Sequence, residues 1–162
     1  PDLTPVPEGY YDDGKNAEYY KDFGGLYDYE AAKAAIPEGW RLPTDADWQK
    51  LERVLGMSSG DLEQLGRRGS VQGELLQQGT DGTGIDLQLS GYLIPDDRTM
   101  DIYSFVKVYG FYWTATVDET KPESNSVYYR QIIYNSSEVV RNSMTKNNLL
   151  SIRCVRDATS IE

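Results

Sequence analysis

The sequence predicts a single α+β domain, with helices early in the chain and antiparallel strands late. Helix caps and alanine-rich or amphipathic runs are concentrated between residues 28 and 56. Alternating, β-branched and aromatic runs dominate from residue 85 onward. The 162 residues suit one domain, and we see no internal repeat or linker. We assign residues 1–24 to an irregular N-terminal arm, 25–157 to the domain and 158–162 to a tail.

The first helix is predicted from Tyr29 to Ala35. Asp28 is a favoured N-cap residue, and the alanines that follow have high helix propensity. Pro37 ends the segment because it cannot continue a helix.

The second helix is predicted directly after the tract RLPT. Thr44 and Asp47 have the spacing of a capping box, and Asp45 complements the helix dipole from the first turn. Gly56 ends this helix. Its predicted buried stripe consists of Trp48, Leu51 and Leu55.

The middle of the chain carries weaker signals. Residues 58–66 predict another short helix, and residues 66–84 read as a glycine-rich loop with a brief apolar break. Apolar and polar residues alternate from Ile85 to Ser90, which predicts a half-buried strand. A long irregular segment, residues 91–110, follows.

Four further tracts predict a meander of strands. They are residues 111–117, 126–134, 138–142 and 150–156, and the second is apolar on both faces, as in a central strand. In the last tract Cys154 shares a face with Leu150 and Ile152. We therefore predict a buried hydrophobic role for this cysteine.

Composition excludes several classes of function. With 26 acidic and 16 basic residues the net charge is −10, which disfavours nucleic acid and anionic membranes as partners. No apolar run reaches the about 18 residues of a membrane helix, so we expect no direct membrane insertion. The chain has no histidine and one cysteine, which excludes serine–histidine, cysteine–histidine and thiolate-pair chemistry. We expect no enzymatic activity.

Four tracts in order carry a family resemblance: GGLYDYEAAKAAIPEGWRLPTDADWQKL (24–51), FYWTAT (111–116), VYYRQIIYNSSEVVRN (127–142) and LSIRCVRD (150–157). Together they resemble the Fibrobacter succinogenes major paralogous domain, from about Tyr10 to Asp157. The resemblance implies a C-type-lectin-like fold, with two main helices packed on a twisted antiparallel sheet and a long loop region. It also implies an extracellular or cell-surface protein, an outer-membrane lipoprotein whose signal and anchor lie outside this sequence.

The resemblance also defines what this chain lacks. Many members carry a cysteine at the position of Ile36. If that cysteine forms a disulfide with the cysteine of the last strand, which is Cys154 here, this chain has lost the disulfide. The tract RLPTDADW is distantly similar to formylglycine-generating enzymes, which bind copper through a cysteine pair. With Cys154 alone, that oxidase activity does not carry over.

The long loop region is the predicted ligand-binding site, because lectin-like folds bind ligands there. A sugar ring stacks on exposed aromatic rings, while acids bond its hydroxyls. The alternative for these tyrosines is packing of the loops onto the sheet. The candidate residues are Tyr92, Asp96, Asp97, Tyr103, Tyr109, Tyr112 and Asp118.

We assign no metal ligand, no catalytic residue and no cofactor, with calcium kept open as an alternative. Oxygen ligands for calcium are available at Asp81, Asp86, Asp96, Asp97 and Asp118. The sequence signatures of calcium-dependent lectins are missing. We place Trp40, Trp48 and Trp113 in the core, and we assign structural roles to Arg41, Arg130, Arg153 and Arg156.

Three hypotheses for function follow. The first is a non-catalytic extracytoplasmic binding or adhesion module, whose partner is a glycan or a surface protein. The second is a structural or assembly subunit of a surface complex. The third is a hydrolase that uses adjacent carboxylates, such as Asp12–Asp13, Asp96–Asp97 or Asp118–Glu119. Ligand identity and oligomeric state stay open.

Overall fold

The computed structural model describes residues 22–94 and 105–157 and confirms the α+β class. Most of the predicted arm and the whole predicted tail lie outside these residues. In chain order the elements are α1 (Tyr29–Ala34), α2 (Asp45–Val54), β1 (Gly66–Arg68), α3 (Gln72–Gln77), β2 (Tyr109–Val117), a 3-10 turn (Pro122–Ser124), β3 (Ser126–Ile133) and β4 (Val139–Thr145). None of the helices in the described ranges is long and apolar enough to cross a membrane.

The two main helices begin where their caps predict. The Asp28 carboxylate accepts a hydrogen bond from the Ala31 N–H at 2.8 Å. In α2 the Thr44 hydroxyl accepts from the Asp47 N–H at 3.1 Å, and the Thr44 N–H donates to Asp47 Oδ2 at 2.8 Å. Both halves of the capping box are therefore present.

The buried face of α2 differs from the predicted apolar stripe. Asp45, Trp48 and Glu52 are buried, whereas Leu51 and Leu55 are only half-buried. This set has the same helical spacing as the predicted stripe, but two of its three members are acids. The reason is the charged sheet face that α2 covers, described below.

The sheet has four antiparallel strands in the order β1-β4-β3-β2. Strand β3 pairs with β2 on one side and β4 on the other, so the predicted central strand is confirmed. Trp113 lies opposite Tyr129, and Arg130 lies opposite Arg141. Neighbouring residues along a strand point to opposite faces, so these two pairs belong to different sides of the sheet.

Each side of the sheet has its own apolar core. On one side α1 and Leu42 cover Phe111, Trp113, Val127 and Tyr129. Ile36, the residue in the place of the family's cysteine, is half-buried and packs against this cluster. On the other side Trp48 of α2 and Leu76 of α3 belong to a cluster with Tyr112, Ile132 and Val139.

Two predictions for residues 58–84 are wrong. Residues 58–65 form turns rather than a helix, and the predicted loop contains β1 and α3. Tertiary contacts override the local glycine signal there. The Gly73 N–H donates to the Ser137 carbonyl at 2.8 Å, which anchors α3 beside the turn between β3 and β4.

Two predicted strands are reduced to isolated bridges. Residues 85–89 are irregular because Asp86 adopts φ 51° and the Leu87 N–H donates to the Leu76 carbonyl of α3. Residues 150–156 contribute single bridges, of Leu150 with Tyr27, Ser151 with Tyr112 and Val155 with Arg41. The chain end therefore runs between the outer edge of β2 and the segment before α2.

Candidate functional site

Two cavities flank residues 151–156, and both are lined by Arg153 and Cys154. Cavity A has a volume of about 310 Å³ and is lined further by Tyr27, Asp86, Gln88 and Tyr112, among others. Cavity B has a volume of about 460 Å³, and its remaining lining is Trp40, Pro43, Asp47, Trp48, Leu51, Ile85, Val155 and Arg156. We call the two cavities together the groove.

A bridge between distant segments builds the wall of cavity B. The Arg41 N–H donates to the Val155 carbonyl at 2.8 Å, and the Val155 N–H donates to the Arg41 carbonyl at 2.9 Å. This pairing brings the Arg156 guanidinium to 5.3 Å from the ring centre of Trp40, a cation–π distance.

One tryptophan is misplaced by the sequence prediction. Trp48 and Trp113 are buried, as predicted, but 43% of Trp40 is exposed. The positive φ of Gly39, 79°, turns the chain just before Trp40. Because the Trp40 ring lines cavity B beneath Arg156, it offers a face for ligand contact instead of filling the core.

The four arginines to which the sequence analysis gives structural roles divide into two groups. Arg41 bonds the α2 cap residue Asp47 and reaches Asp157 at 2.8 Å, a structural role. By contrast, Arg153 and Arg156 form no ion pair or hydrogen bond through their side chains with any residue in the described ranges. Both are exposed and line cavity B. Their guanidinium groups are free to bind an anion.

The indole of Trp48 carries an unused hydrogen-bond donor. The side chain is 3% exposed and lines cavity B, and its Nε1 has no acceptor among the residues described. Its ring centre lies 6.3 Å from that of Tyr112, which lines cavity A. This donor without a partner costs free energy, and neighbouring atoms cover it rather than leaving it open to the cavity.

Cys154 is half-buried and lines both cavities, so the predicted buried core position is wrong. Residues 152–154 leave the sheet and form no bridge, which exposes one side of the segment. Burial raises the pKa of the Cys154 thiol, and the nearby charge of Arg153 lowers it by less. The thiol stays protonated at neutral pH and is a weak nucleophile.

Tyr112 is the predicted site residue that the structure places in the groove. Its hydroxyl accepts from the Gln88 N–H at 2.7 Å and donates to the Gln88 carbonyl at 2.8 Å. Burial raises its pKa, although the Gln88 hydrogen bond opposes the shift. A neutral, fully bonded phenol fixes residues 86–88 along cavity A.

Tyr92 and Tyr109 belong to an aromatic cluster beside β2. The Tyr92 ring centre lies 4.4 Å from that of Phe111 and 5.2 Å from that of Phe105, and Tyr109 lies 5.6 Å from Phe105. Both tyrosines are half-buried. Asp96, Asp97 and Tyr103 lie outside the described residues, so a ligand site in the loop region stays a prediction.

Asp118 is buried and bonded to its own loop and to strands β3 and β4. Its carboxylate accepts hydrogen bonds from Ser143, Thr120 and the hydroxyl of Tyr128. Burial raises the pKa of Asp118, but these hydrogen bonds outweigh it and lower the pKa to about 2. The contacts give this carboxylate a structural role between β2 and β4.

A buried network of five charges was missed by the sequence analysis. It joins the acids of α2 to arginines on three strands, and its members are Asp45, Glu52, Arg68, Arg130 and Arg141. The acids flank Trp48 at helical spacing, and an arginine in the middle of an apolar strand needs a buried partner. Those two signals together indicate the network.

The two acids of this network offset two of its three arginine charges. Burial raises the pKa of Asp45, but Arg141 and Arg130 reverse the shift and lower it. Arg68 is held by Glu52 and by the Leu62 carbonyl, while burial lowers its pKa. Since both acids are saturated by arginine, the network stabilises the interface between α2 and the sheet.

Metal ligation has no support within residues 22–94 and 105–157, where no group of three or more acidic or cysteine residues could hold an ion. Of the acids considered for calcium, Asp81 and Asp86 are exposed and separate, and Asp118 is bonded as described.

The sequence comparisons agree with the resemblance found in the four tracts. No curated protein or solved structure gives a significant match. The sequence model of the Fibrobacter succinogenes major domain matches residues 3–156, nearly the whole chain. The chain belongs to the Fibrobacter succinogenes major domain family.

Proposed function

We propose that the protein is a non-catalytic binding module of a bacterial cell-surface protein and that it holds a glycan in the groove. The observation that carries the proposal is the exposed Trp40 ring beside two unpaired arginines in a concave, largely apolar site. Sugar-binding sites combine a ring face with polar groups at its edge, and few surfaces of a protein provide both.

The two cavities suit successive sugar units. Cavity B offers the apolar faces of Trp40, Trp48 and Ile85, against which the C–H face of a pyranose packs. Cavity A offers Asp86 and Gln88, whose side chains bond hydroxyl groups. Arg153 lies in both linings, so one ligand spanning both cavities would contact it throughout.

The state of the carboxyl groups favours binding over catalysis. A glycoside hydrolase needs one acid with a raised pKa. In the described part of the chain, the carboxyl groups whose pKa departs from its ordinary value are all shifted downward, namely Glu30, Asp45, Asp47 and Asp118. Hydrogen bonds and arginines already engage these groups.

The finer fold and the location are part of the same proposal. Two helices on an antiparallel sheet, with a long connection before β2, are the arrangement that we expect of a C-type-lectin-like domain. Placement at the cell surface, as part of an outer-membrane lipoprotein, rests on the family resemblance. The net charge of −10 suits a soluble surface domain that repels nucleic acid.

A glycan array tests the proposal, with calcium and with chelator in parallel. We expect specific binding that Trp40→Ala removes and that Tyr134→Ala retains. Tyr134 is the matched control, because it is an aromatic residue with 68% exposure outside both cavities. Loss of binding in Tyr109→Ala but not in Trp40→Ala would instead place the ligand in the loop region. Absence of glycan binding would refute the proposal.

The second candidate is an assembly subunit, and one observation favours it. Cavity B is lined mostly by apolar side chains, which would also receive a side chain from a partner protein. The exposed large hydrophobic residues elsewhere in the described chain lie on separate elements, for example Val54, Val71 and Val117. A concentration-dependent oligomer without glycan binding, measured by ultracentrifugation, would support assembly.

A further inference from the structure

We infer that cavity B selects ligands that carry a carboxylate, so that the glycan of the proposed function is an acidic one of the uronic acid class. This inference rests on the proposed function and adds the charge of the ligand. Arg153 and Arg156 hold the carboxylate, while the sugar ring lies against the Trp40 side of the cavity.

The first argument is the distribution of charge. The chain has ten more acidic than basic residues, yet three arginines, Arg53, Arg153 and Arg156, form no ion pair in the described ranges. Two of these three, Arg153 and Arg156, line cavity B. In an acidic protein, free guanidinium groups have many carboxylates to pair with, so two that share one cavity indicate a site for an external anion.

The second argument is that the lining of cavity B has a net positive charge. The acid in its lining is Asp47, which accepts hydrogen bonds from Arg41 and from the Thr44 N–H. The Arg41 hydrogen bond, together with those from Thr44, lowers the pKa of Asp47 to about 2 against the effect of burial. Arg41 is shared between Asp47 and Asp157, but Arg153 and Arg156 outnumber Asp47 in the lining, so the net charge of the lining is positive.

The third argument is the direction of the available donors. The Arg156 guanidinium lies over the Trp40 ring, which limits its rotation and pre-organises it for a planar, two-oxygen acceptor. A carboxylate supplies two acceptor oxygens, whereas a neutral sugar has hydroxyl groups that satisfy arginine less strongly.

Cavity A carries less positive charge than cavity B, because its lining contains Arg153 and Asp86 but not Arg156, and this difference gives the bound ligand an orientation. Asp86 is exposed at cavity A and forms no side-chain ion pair within the described part of the chain. A carboxylate there would be repelled by Asp86. The acidic sugar therefore occupies cavity B, and a neutral sugar unit occupies cavity A.

Titration calorimetry with oligogalacturonate and with its neutral methyl ester tests the inference. We expect the acid form to bind at least about tenfold more tightly than the ester, because it makes charge-assisted hydrogen bonds that the ester lacks. Arg153→Gln and Arg156→Gln should each reduce affinity for the acid by about tenfold or more and leave affinity for the ester nearly unchanged.

Arg67→Gln is the matched control, because Arg67 is an exposed arginine of β1 that pairs with Glu138 outside the groove. It should bind both ligands as the original chain does. Equal affinity for acid and ester would overturn the inference but leave the proposed function intact. Tighter binding of a sulfated glycan than of oligogalacturonate would overturn the choice of a carboxylate. If neither the acid nor the ester binds, the inference of a uronic acid ligand is overturned, and these sugars are also excluded as ligands for the proposed function.

Discussion

Arg130 donates from Nε to Glu52 Oε1 over 2.7 Å, and both side chains are fully buried between α2 and the central strand. Glu52 also accepts from Arg68 at 2.6 Å. One carboxylate therefore bonds two guanidinium groups in a site that water does not reach, and Arg130 also bonds Asp45. The position of α2 on the sheet depends on Glu52.

Replacing Glu52 with Gln should destabilise the fold by roughly 3–5 kcal/mol, since it leaves buried Arg68 without an acidic partner and Arg130 with Asp45 alone. Urea unfolding followed by tryptophan fluorescence measures the change. Glu123→Gln serves as the control, because Glu123 is exposed in the 3-10 turn. A loss below about 1 kcal/mol for the Glu52 variant would contradict the assigned role.

The cap of α2 is a second point of stability, near the groove. Thr44→Ala removes the hydroxyl that accepts from the Asp47 N–H, and we expect a loss of about 1 kcal/mol. Thr44→Ser keeps the hydroxyl and should lose much less. Both values come from the same urea titrations. If the alanine and serine variants were equally stable, the Thr44 hydroxyl would contribute nothing measurable to the free energy of unfolding.

The capping box was predictable because its members are three residues apart and the interaction is local. The burial of Glu52 was not, because its partner Arg130 lies 78 residues away and only the register of β3 brings the two together. The sequence indicates an amphipathic helix without specifying which residues face the sheet. From the local pattern alone, acidic side chains are predicted to face solvent.

The site was predictable only in part for the same reason. Tyr112 was chosen for its place beside the long loop, and the structure places it in cavity A. The exposure of Trp40 depends on the bridge between Arg41 and Val155, which closes the domain between distant segments. Without knowledge of that long-range pairing, a tryptophan within a family motif is predicted to lie in the core.

Stability should fall in acid as Asp118 becomes protonated. Its pKa is lowered to about 2 in the fold, from an ordinary value of 3.8. A lowered folded pKa adds stability that is complete above the unfolded value and is lost as the pH falls from about 4 through about 2. Asp118→Asn should be less stable at neutral pH and show a weaker decline over that range.

Urea unfolding between neutral pH and pH of about 2.5 measures this dependence, within the range set by the Asp118 pKa. Asp81→Asn is the control, since Asp81 is exposed and makes no side-chain hydrogen bond or ion pair in the part of the chain described. It should follow the original curve. An Asp118→Asn curve with an unchanged slope would remove Asp118 from the account of acid stability.

Gly73 holds α3 against the turn between β3 and β4, and its missing side chain is what permits the contact. A Cβ atom there would lie 2.2 Å from the Glu138 carbonyl oxygen and 2.7 Å from that of Ser136. Both are backbone atoms, so the turn itself would have to move. Helix propensity alone predicts that Gly73→Ala raises the free energy of unfolding by up to about 1 kcal/mol. The steric clash predicts the opposite sign, so the sign of the measured change separates the two effects.

We expect Gly73→Ala to destabilise the fold by about 1–3 kcal/mol or more, because the steric clash exceeds the gain in propensity. Gly60→Ala is the matched control, since the nearest neighbour of its added Cβ is the Ser58 hydroxyl at 3.9 Å. It should change stability by less than about 0.5 kcal/mol. Urea unfolding of both variants decides the point. A stabilised Gly73→Ala protein would mean that α3 does not approach the turn between β3 and β4 as closely as described.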